Sequence, residues 1–174
     1  MSSVIVEENF LSPTLFSECQ ELAYSIPYLK ESKFRSSYGW DKDLSRQSSP
    51  VLVYDLGSEN KELFDKIRKE IRSKTELFLE DILIQYWSKL SYLDWHSDAV
   101  YSSALTVYLN KEWKPQWGGY FLYRDKKEIK GIIPKPNLAI AQPGGVPHCV
   151  TTVNIDSDIR ISLQAFLSNN SKLL

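Results

Sequence analysis

The chain has 174 residues, of which 43% are apolar, 25% charged and 13% aromatic, the composition of a globular domain with a sizeable core. Its 21 Lys and Arg residues balance 22 Asp and Glu residues, and its two cysteines lie far apart, so neither a charge excess for nucleic-acid binding nor a disulfide framework is indicated. The first residues do not resemble a signal peptide and no apolar run approaches a membrane span, so we expect one cytoplasmic domain over residues 1–174.

The first 80 residues predict two helices around one short strand. Ser12 and Pro13 are typical of a helix start, with Ser as the N-cap and Pro at the first helical position. Apolar residues then recur at helical spacing on one face, namely Leu15, Phe16, Cys19, Leu22, Ala23 and Ile26. Residues 51–54 indicate a strand. A second amphipathic helix over roughly 60–79 is predicted by Leu63, Ile67, Ile71 and Phe78.

The segment 30–49 has no periodic apolar pattern. It contains Arg35, Tyr38, Trp40 and Arg46. One interpretation is a surface loop; the other is a lid over a site, because long loops in compact domains are often functional. Arg and aromatic side chains are typical anchors for anionic or planar ligands. Under the second interpretation Arg35, Tyr38 and Trp40 border a substrate pocket together with Tyr101.

After residue 80 the pattern changes to short apolar runs separated by Gly, Pro and Asp turns. The runs are 82–90, 104–109, 119–124, 130–133, 137–142, 149–154 and 159–167. Helices followed by many short strands predict a mainly β domain with flanking helices (α+β), in which an antiparallel sandwich or barrel forms the core. We expect a helical part at about 1–80 to pack outside a core at about 81–167.

Both histidines of the chain stand where they could hold a metal. His96 and Asp98 are two residues apart, so in an extended segment they project from the same face. His148 is the other histidine and could add a second imidazole. Two imidazoles and one carboxylate form a facial triad that leaves coordination positions open, as in non-haem Fe(II) oxygenases, although zinc or manganese would also fit.

A buried cation is predicted downstream of this motif. Arg160 begins an apolar run, and by alternation it shares one strand face with Ser162 and Gln164. An unpaired charge in such a setting is costly, so the guanidinium calls for an anion, either a bound carboxylate or a structural partner such as Asp156 or Asp158.

The order and spacing of these elements resemble the Fe(II)/2-oxoglutarate-dependent oxygenases, in particular the prolyl-hydroxylase-like branch. The resemblance rests on His96-x-Asp98, the run 105–113, Gly118-Gly119, the run 133–137, His148-x-Val150 and Arg160-x-Ser162. It implies a double-stranded β-helix, also called a jelly roll, with Fe(II) between its sheets, 2-oxoglutarate as co-substrate and dioxygen as oxidant.

The resemblance also implies roles for individual residues. Arg160 would bind the 5-carboxylate of 2-oxoglutarate together with Ser162 and the hydroxyl of Tyr108, although Tyr108 could instead be a core tyrosine. Tyr86, ten residues before His96, would line the co-substrate pocket.

An enzyme of this kind would hydroxylate an unactivated C–H bond of a prolyl or other amino-acid residue, a free amino acid or a small metabolite. Nucleic acid is not an expected partner, because the nucleic-acid demethylases of this superfamily carry a second arginine that residues 161–174 lack. Two alternatives remain open from the sequence. One is a jelly-roll protein that binds or senses a metal without turnover, and the other is a cupin-like zinc hydrolase, which would need a general base near the metal.

Overall fold

The computed structural model describes residues 4–26, 34–36, 42–49, 51–75 and 77–169, with the backbone alone described for 34–36. In chain order these residues form β1 (Ile5–Glu7), α1 (Pro13–Ser25), β2 (Phe34–Ser36), α2 (Lys42–Gln47), β3 (Leu52–Asp55), α3 (Leu56–Glu59), α4 (Lys61–Thr75), β4 (Phe78–Trp87), β5 (Leu93–His96), β6 (Ser103–Tyr108), a 3-10 turn (Pro115–Trp117), β7 (Phe121–Asp125), β8 (Glu128–Ile132), β9 (Ala139–Pro143), β10 (His148–Val150) and β11 (Arg160–Ser168).

Within these described residues the strands form two antiparallel sheets. The larger has the order β1-β9-β6-β11-β4-β3-β2 and the smaller the order β5-β10-β7-β8. β11 lies in the middle of the larger sheet, paired with β4 on one side and β6 on the other. Hydrogen bonding on both sides fixes the direction in which each β11 side chain points.

One face of the larger sheet is covered by α1 and α4. Ile161, Leu163 and Ala165 of β11 are buried in a cluster with apolar residues of both helices. The helices contribute Leu15, Cys19 and Ala23 from α1 and Leu63, Ile67 and Ile71 from α4. The intervening β11 residues therefore face the smaller sheet, as their alternation predicts. The prediction of a mainly β fold with antiparallel sheets and a few helices is confirmed. No helix in the described ranges is long and apolar enough to cross a membrane.

The predicted start of α1 is confirmed, with Ser12 as N-cap and Pro13 as first residue. The Ser12 hydroxyl does not cap the helix, however, because it donates to Glu70 Oε2 at 2.8 Å while the Ser12 backbone N–H donates to Oε1 at 2.6 Å. Glu70 belongs to α4, so these bonds join the beginning of α1 to the neighbouring helix.

Two predicted boundaries are wrong. The segment 30–49 is not a plain loop, because it contains β2, which pairs with β3, and the helix α2. Phe78 does not belong to the second helix: α4 ends at Thr75, and Phe78 begins β4 opposite Ser168. Its apolar side chain continued the helical pattern by coincidence.

Candidate metal and anion site

A cavity of about 610 Å³ lies between the two sheets. Its floor is the face of the larger sheet that points away from the helices, and its other wall comes from the smaller sheet and the segment after β5. The lining includes Asp81, Leu83, Gln85 and Trp87 from β4, Arg160, Gln164 and Phe166 from β11, Thr106 from β6, and His96, Asp98, Tyr101, Phe121 and His148 opposite. This volume is typical of pockets for small ligands.

The structure brings His96, Asp98 and His148 together in this cavity. One potential ligand atom from each lies within 4.8 Å of the others. His96 Nε2 is 3.9 Å from Asp98 Oδ1, and His148 Nε2 is 3.6 Å from Asp98 Oδ2. The two histidines are register partners on β5 and β10, whereas Asp98 lies just beyond the end of β5. Sheet pairing therefore supplies the two imidazoles, and the chain leaving β5 supplies the carboxylate.

Backbone contacts orient both imidazoles. His96 Nδ1 lies 2.8 Å from the Asp94 carbonyl oxygen and His148 Nδ1 lies 2.9 Å from that of Val146. A nitrogen facing a carbonyl must carry the proton, so the lone pair of each imidazole is on Nε2, the atom that a metal would bind. This is the tautomer and orientation that the predicted metal ligands need.

Burial disfavours charge on this cluster in the absence of a cation. It raises the pKa of Asp98 and lowers the pKa of His148 to about 3. Both shifts have desolvation as their largest cause. A divalent cation would reverse the balance for Asp98, because it favours the carboxylate and needs neutral imidazoles. The donor set and its electrostatics thus fit the Fe(II) that the sequence predicts.

Arg160 is fully buried, and none of the described residues gives it a carboxylate partner. Its side chain is 1% exposed, and no carboxylate of the described residues, Asp156 and Asp158 included, lies within 4.0 Å of its nitrogens. Its nearest polar neighbours are Ser162 Oγ and Tyr108 Oη, each at 3.4 Å. Burial lowers the pKa of Arg160, and its Nε has no hydrogen-bond partner.

Aromatic rings enclose the same guanidinium. It lies 4.9 Å from the ring centres of both Trp87 and Tyr108, and Trp87 Nε1 donates to Ser162 Oγ at 3.3 Å. Gly119, with a φ of +63°, passes so close that a Cβ there would lie 2.9 Å from Arg160 Cδ. The enclosure excludes water from this cation, to which the described residues offer no counter-ion, and the carboxylate of a ligand could supply one.

The structure corrects the expectation that Tyr86 lines the co-substrate pocket. Tyr86 is buried in the helix-side core, where its hydroxyl donates to the Ala23 carbonyl oxygen at 2.9 Å. Alternation along β4 instead directs Gln85 and Trp87 into the cavity. The count of ten residues back from His96 misplaced the face because the chain turns between β4 and β5, with Leu90 at a φ of +66°.

The predicted substrate residues are only partly described. Tyr101 lines the cavity and stacks on Phe166, with ring centres 4.5 Å apart. Arg46 lies on the exposed side of α2 and pairs with Asp43. Tyr38, Trp40 and the side chain of Arg35 fall outside the described residues.

Sequence reasoning missed two residues that support Asp98. Gln142 on β9 is 3% exposed, and its Nε2 donates to Asp98 Oδ2 at 3.3 Å while lying 3.0 Å from His148 Nε2. Gly144 follows β9, and a Cβ there would lie 2.5 Å from the Asp98 carbonyl oxygen and 2.1 Å from that of Tyr101. Only glycine permits this approach. The sequence placed Gln142 at the end of the strand-like run 137–142 and Gly144 in the turn that follows, and it gave neither residue a role.

Comparison with known proteins agrees with this geometry. A model of the 2OG-Fe(II) oxygenase superfamily matches residues 83–168, which contain the histidines, Asp98 and Arg160. No curated protein matches the chain.

Several solved structures are similar over nearly the whole chain. One is a prolyl-4-hydroxylase from Pseudomonas putida, with 16% identity, a TM-score of 0.72 and coverage of 96% of this chain and 92% of that one. Another is a prolyl hydroxylase from Trichoplax adhaerens in complex with a hypoxia inducible factor peptide fragment (14%, 0.73, 95% and 83%). A third is the alpha ketoglutarate dependent epimerase SnoN from nogalamycin biosynthesis (10%, 0.69, 93% and 76%). At these identities the likeness shows the fold, and the predicted jelly roll is confirmed.

Proposed function

The chain belongs to the 2OG-Fe(II) oxygenase superfamily, and from that premise we propose that it hydroxylates an unactivated C–H bond of a prolyl or other amino-acid residue, a free amino acid or a small metabolite. Fe(II) would be held by His96, Asp98 and His148. The 5-carboxylate of 2-oxoglutarate would be held by Arg160, with Ser162 and Tyr108 as hydroxyl donors. Dioxygen would be the oxidant, and the whole chain would act as one domain.

The observation that carries this proposal is the buried guanidinium of Arg160 in the same cavity as the three candidate metal ligands. A protein that only bound a metal would gain nothing from an enclosed cation without a counter-ion. A zinc hydrolase would need a general base near the metal, and of the described carboxylates at the cavity, Asp98 belongs to the ligand set and Asp81 lies on β4, in the opposite sheet. An oxygenase with a dicarboxylate co-substrate needs both features.

Each part of the site would have its own task. When bound, Fe(II) with 2-oxoglutarate and dioxygen supplies the oxidising power for C–H hydroxylation, and the co-substrate leaves as succinate and carbon dioxide. Arg160 would orient the co-substrate by a charged, bidentate contact. The nonpolar walls around Trp87 and Tyr108 would exclude water from that contact, which strengthens it.

The substrate would enter beside Tyr101 and Phe166. These stacked rings lie at the end of the cavity floor opposite Arg160, because Phe166 is six residues further along β11. Aromatic rings suit the compact, apolar ring of a prolyl group or a comparable small molecule. The similar structures include both a complex with a peptide and an enzyme of small-molecule biosynthesis, so both substrate classes should be screened.

The metal assignment is tested with His96→Ala and Asp98→Ala. Each variant should lose Fe(II)-dependent consumption of 2-oxoglutarate and metal binding, while far-UV circular dichroism stays that of the parent. Asp156→Ala is the matched control, because Asp156 is exposed and outside the cavity. A ligand variant that still bound iron and consumed 2-oxoglutarate at the parent rate would overturn the proposal.

We also propose that the segment 30–49 covers the substrate. Leu44 of α2 lines the cavity, which brings one end of this segment to the site. Trp40→Ala and Arg35→Ala should lower substrate hydroxylation while 2-oxoglutarate decarboxylation without substrate persists, since a lid protects the coupled reaction. If both variants hydroxylate substrate and decarboxylate 2-oxoglutarate at the parent rates, the segment does not take part in substrate binding.

A further inference from the structure

The geometry points to Gln164 as a second co-substrate contact, which binds the end of 2-oxoglutarate nearest the metal and, with Arg160, sets the length of dicarboxylate that the site accepts. This inference rests on the proposed function. Gln164 lies on the same face of β11 as Arg160 and Ser162, and it lines the cavity. None of the sequence motifs assigned it a role.

The amide of Gln164 is held in one orientation. Thr106 is its register partner on β6, and Thr106 Oγ1 donates to Gln164 Oε1 at 2.6 Å. Each of the two residues is 8% exposed. Because the threonine hydroxyl occupies the oxygen, the amide must present its nitrogen elsewhere. Within the described ranges Gln164 Nε2 has no hydrogen-bond acceptor, and it is not among the fully buried atoms, so a molecule in the cavity can reach it. Two N–H donors therefore remain for a bound acceptor.

The distance from Ser162 to Gln164 along β11 fits the length of 2-oxoglutarate. The Arg160 guanidinium bends toward Ser162 and Tyr108, which are register partners, so the 5-carboxylate cradle lies at the level of Ser162. Gln164 is two residues further on, about 6.6 Å along the strand. The terminal carbons of an extended five-carbon dicarboxylate are about 5 Å apart, and hydrogen bonds at each end span the remainder.

The metal ligands lie toward the Gln164 end of the distance between Ser162 and Gln164. Gln142 contacts both Asp98 and His148, and its register partner on β6 is Ala104. Ala104 pairs with Phe166, the next cavity-facing residue after Gln164. A molecule reaching from the Ser162 level toward the metal ligands must pass over Gln164. The two Nε2 hydrogens of Gln164 would then donate to the 1-carboxylate and the 2-oxo group of 2-oxoglutarate.

The experiment measures binding by calorimetry with the Mn(II)-loaded protein, so that no turnover is needed. Gln164→Leu should weaken 2-oxoglutarate binding about tenfold or more, because it removes a hydrogen bond to a charged acceptor. Gln164→Glu should weaken it further by placing a carboxylate against the ligand's own. Gln116→Leu is the control, because Gln116 is exposed and does not line the cavity. Thermal unfolding and circular dichroism check that each variant is folded.

A length series separates a specific role from general damage. The parent should prefer 2-oxoglutarate over 2-oxoadipate, which is longer by about 1.3 Å. Gln164→Leu should reduce this preference, because only the end of the dicarboxylate that binds Arg160 would still be held in place. If Gln164→Leu leaves both the affinity for 2-oxoglutarate and its preference over 2-oxoadipate unchanged, this inference is overturned and the proposed function is not. A change in the KM of the substrate alone would have the same meaning. Failure of the parent to bind 2-oxoglutarate would overturn the proposed function as well.

Discussion

Replacing Arg160 by Met should make the metal-free protein more stable while removing its co-substrate affinity. The guanidinium is desolvated, its Nε has no hydrogen-bond partner among the described residues, and its two hydroxyl contacts are long at 3.4 Å. A buried donor left unpaired costs about 1–3 kcal/mol. The cation–π contacts with the two rings, at 4.9 Å, offset part of this cost by about 0.5–2 kcal/mol. Exchange of buried charged groups for apolar ones of similar size is commonly neutral or stabilising by about 1–4 kcal/mol.

We therefore expect Arg160→Met to raise the free energy of unfolding by about 1–3 kcal/mol. For a chain of this length each kcal/mol moves Tm by about 2–4 °C. In the opposite direction, loss of a charged pair in a desolvated site should cost about 2–5 kcal/mol of binding, or roughly 30-fold and more in the Kd of 2-oxoglutarate. Differential scanning calorimetry with and without 2-oxoglutarate measures both quantities, because a ligand stabilises only the protein that binds it.

Two outcomes would refute this reasoning. A variant less stable than the parent in the absence of ligand would mean that Arg160 has a structural partner. An unchanged thermal shift on adding 2-oxoglutarate would mean that the carboxylate binds elsewhere. Arg160→Lys is a useful companion, since it keeps the charge but loses the planar fork and should bind 2-oxoglutarate with intermediate affinity.

Three further predictions concern single side chains around the cavity. Tyr108→Phe should weaken 2-oxoglutarate binding by about 1 kcal/mol, and by up to about 3, in a calorimetric titration, and an unchanged Kd would make Tyr108 a core tyrosine. Tyr86→Phe should leave that Kd at the parent value and lower the free energy of unfolding by about 1 kcal/mol in urea, because the hydrogen bond to the Ala23 carbonyl oxygen is lost; a weaker Kd would mean that Tyr86 contacts the co-substrate. Gln142→Leu should reduce Mn(II) affinity about 10–100-fold in competition with a chelator, with 2-oxoglutarate absent, and parent affinity would show that Asp98 needs no orienting donor.

The cavity floor could be predicted from the sequence wherever a strand is regular and paired on both sides. Arg160, Ser162 and Gln164 share a face because β11 is hydrogen-bonded to β4 and β6. Alternation then follows from strand geometry alone. Tyr86 was placed in the pocket only by its distance from His96 in the resemblance, and the turn between their strands makes that distance a poor guide to the face on which Tyr86 lies.

Contacts that depend on strand pairing could not be predicted from the sequence. Gln142 reaches Asp98 only because the two sheets bring β9 and the end of β5 together, 44 residues apart in the chain. The helix α2 was missed for a different reason. Leu44 is its single apolar residue, so it has no amphipathic pattern to detect.

The pairing of His96 with His148 has a consequence for local opening of the structure. β5 lies at the edge of the smaller sheet, has four residues, and pairs in the described part of the chain only with β10, where the register shifts between His148 and Val150. A cation bound by both imidazoles would act as a cross-link between these strands. Amide hydrogens of β5 should then exchange with solvent more slowly when metal is bound, whereas those of β11 are held on both sides in either state. Loss of the metal would thus first loosen the strand that precedes Asp98, so that metal release and fraying of this edge become one event.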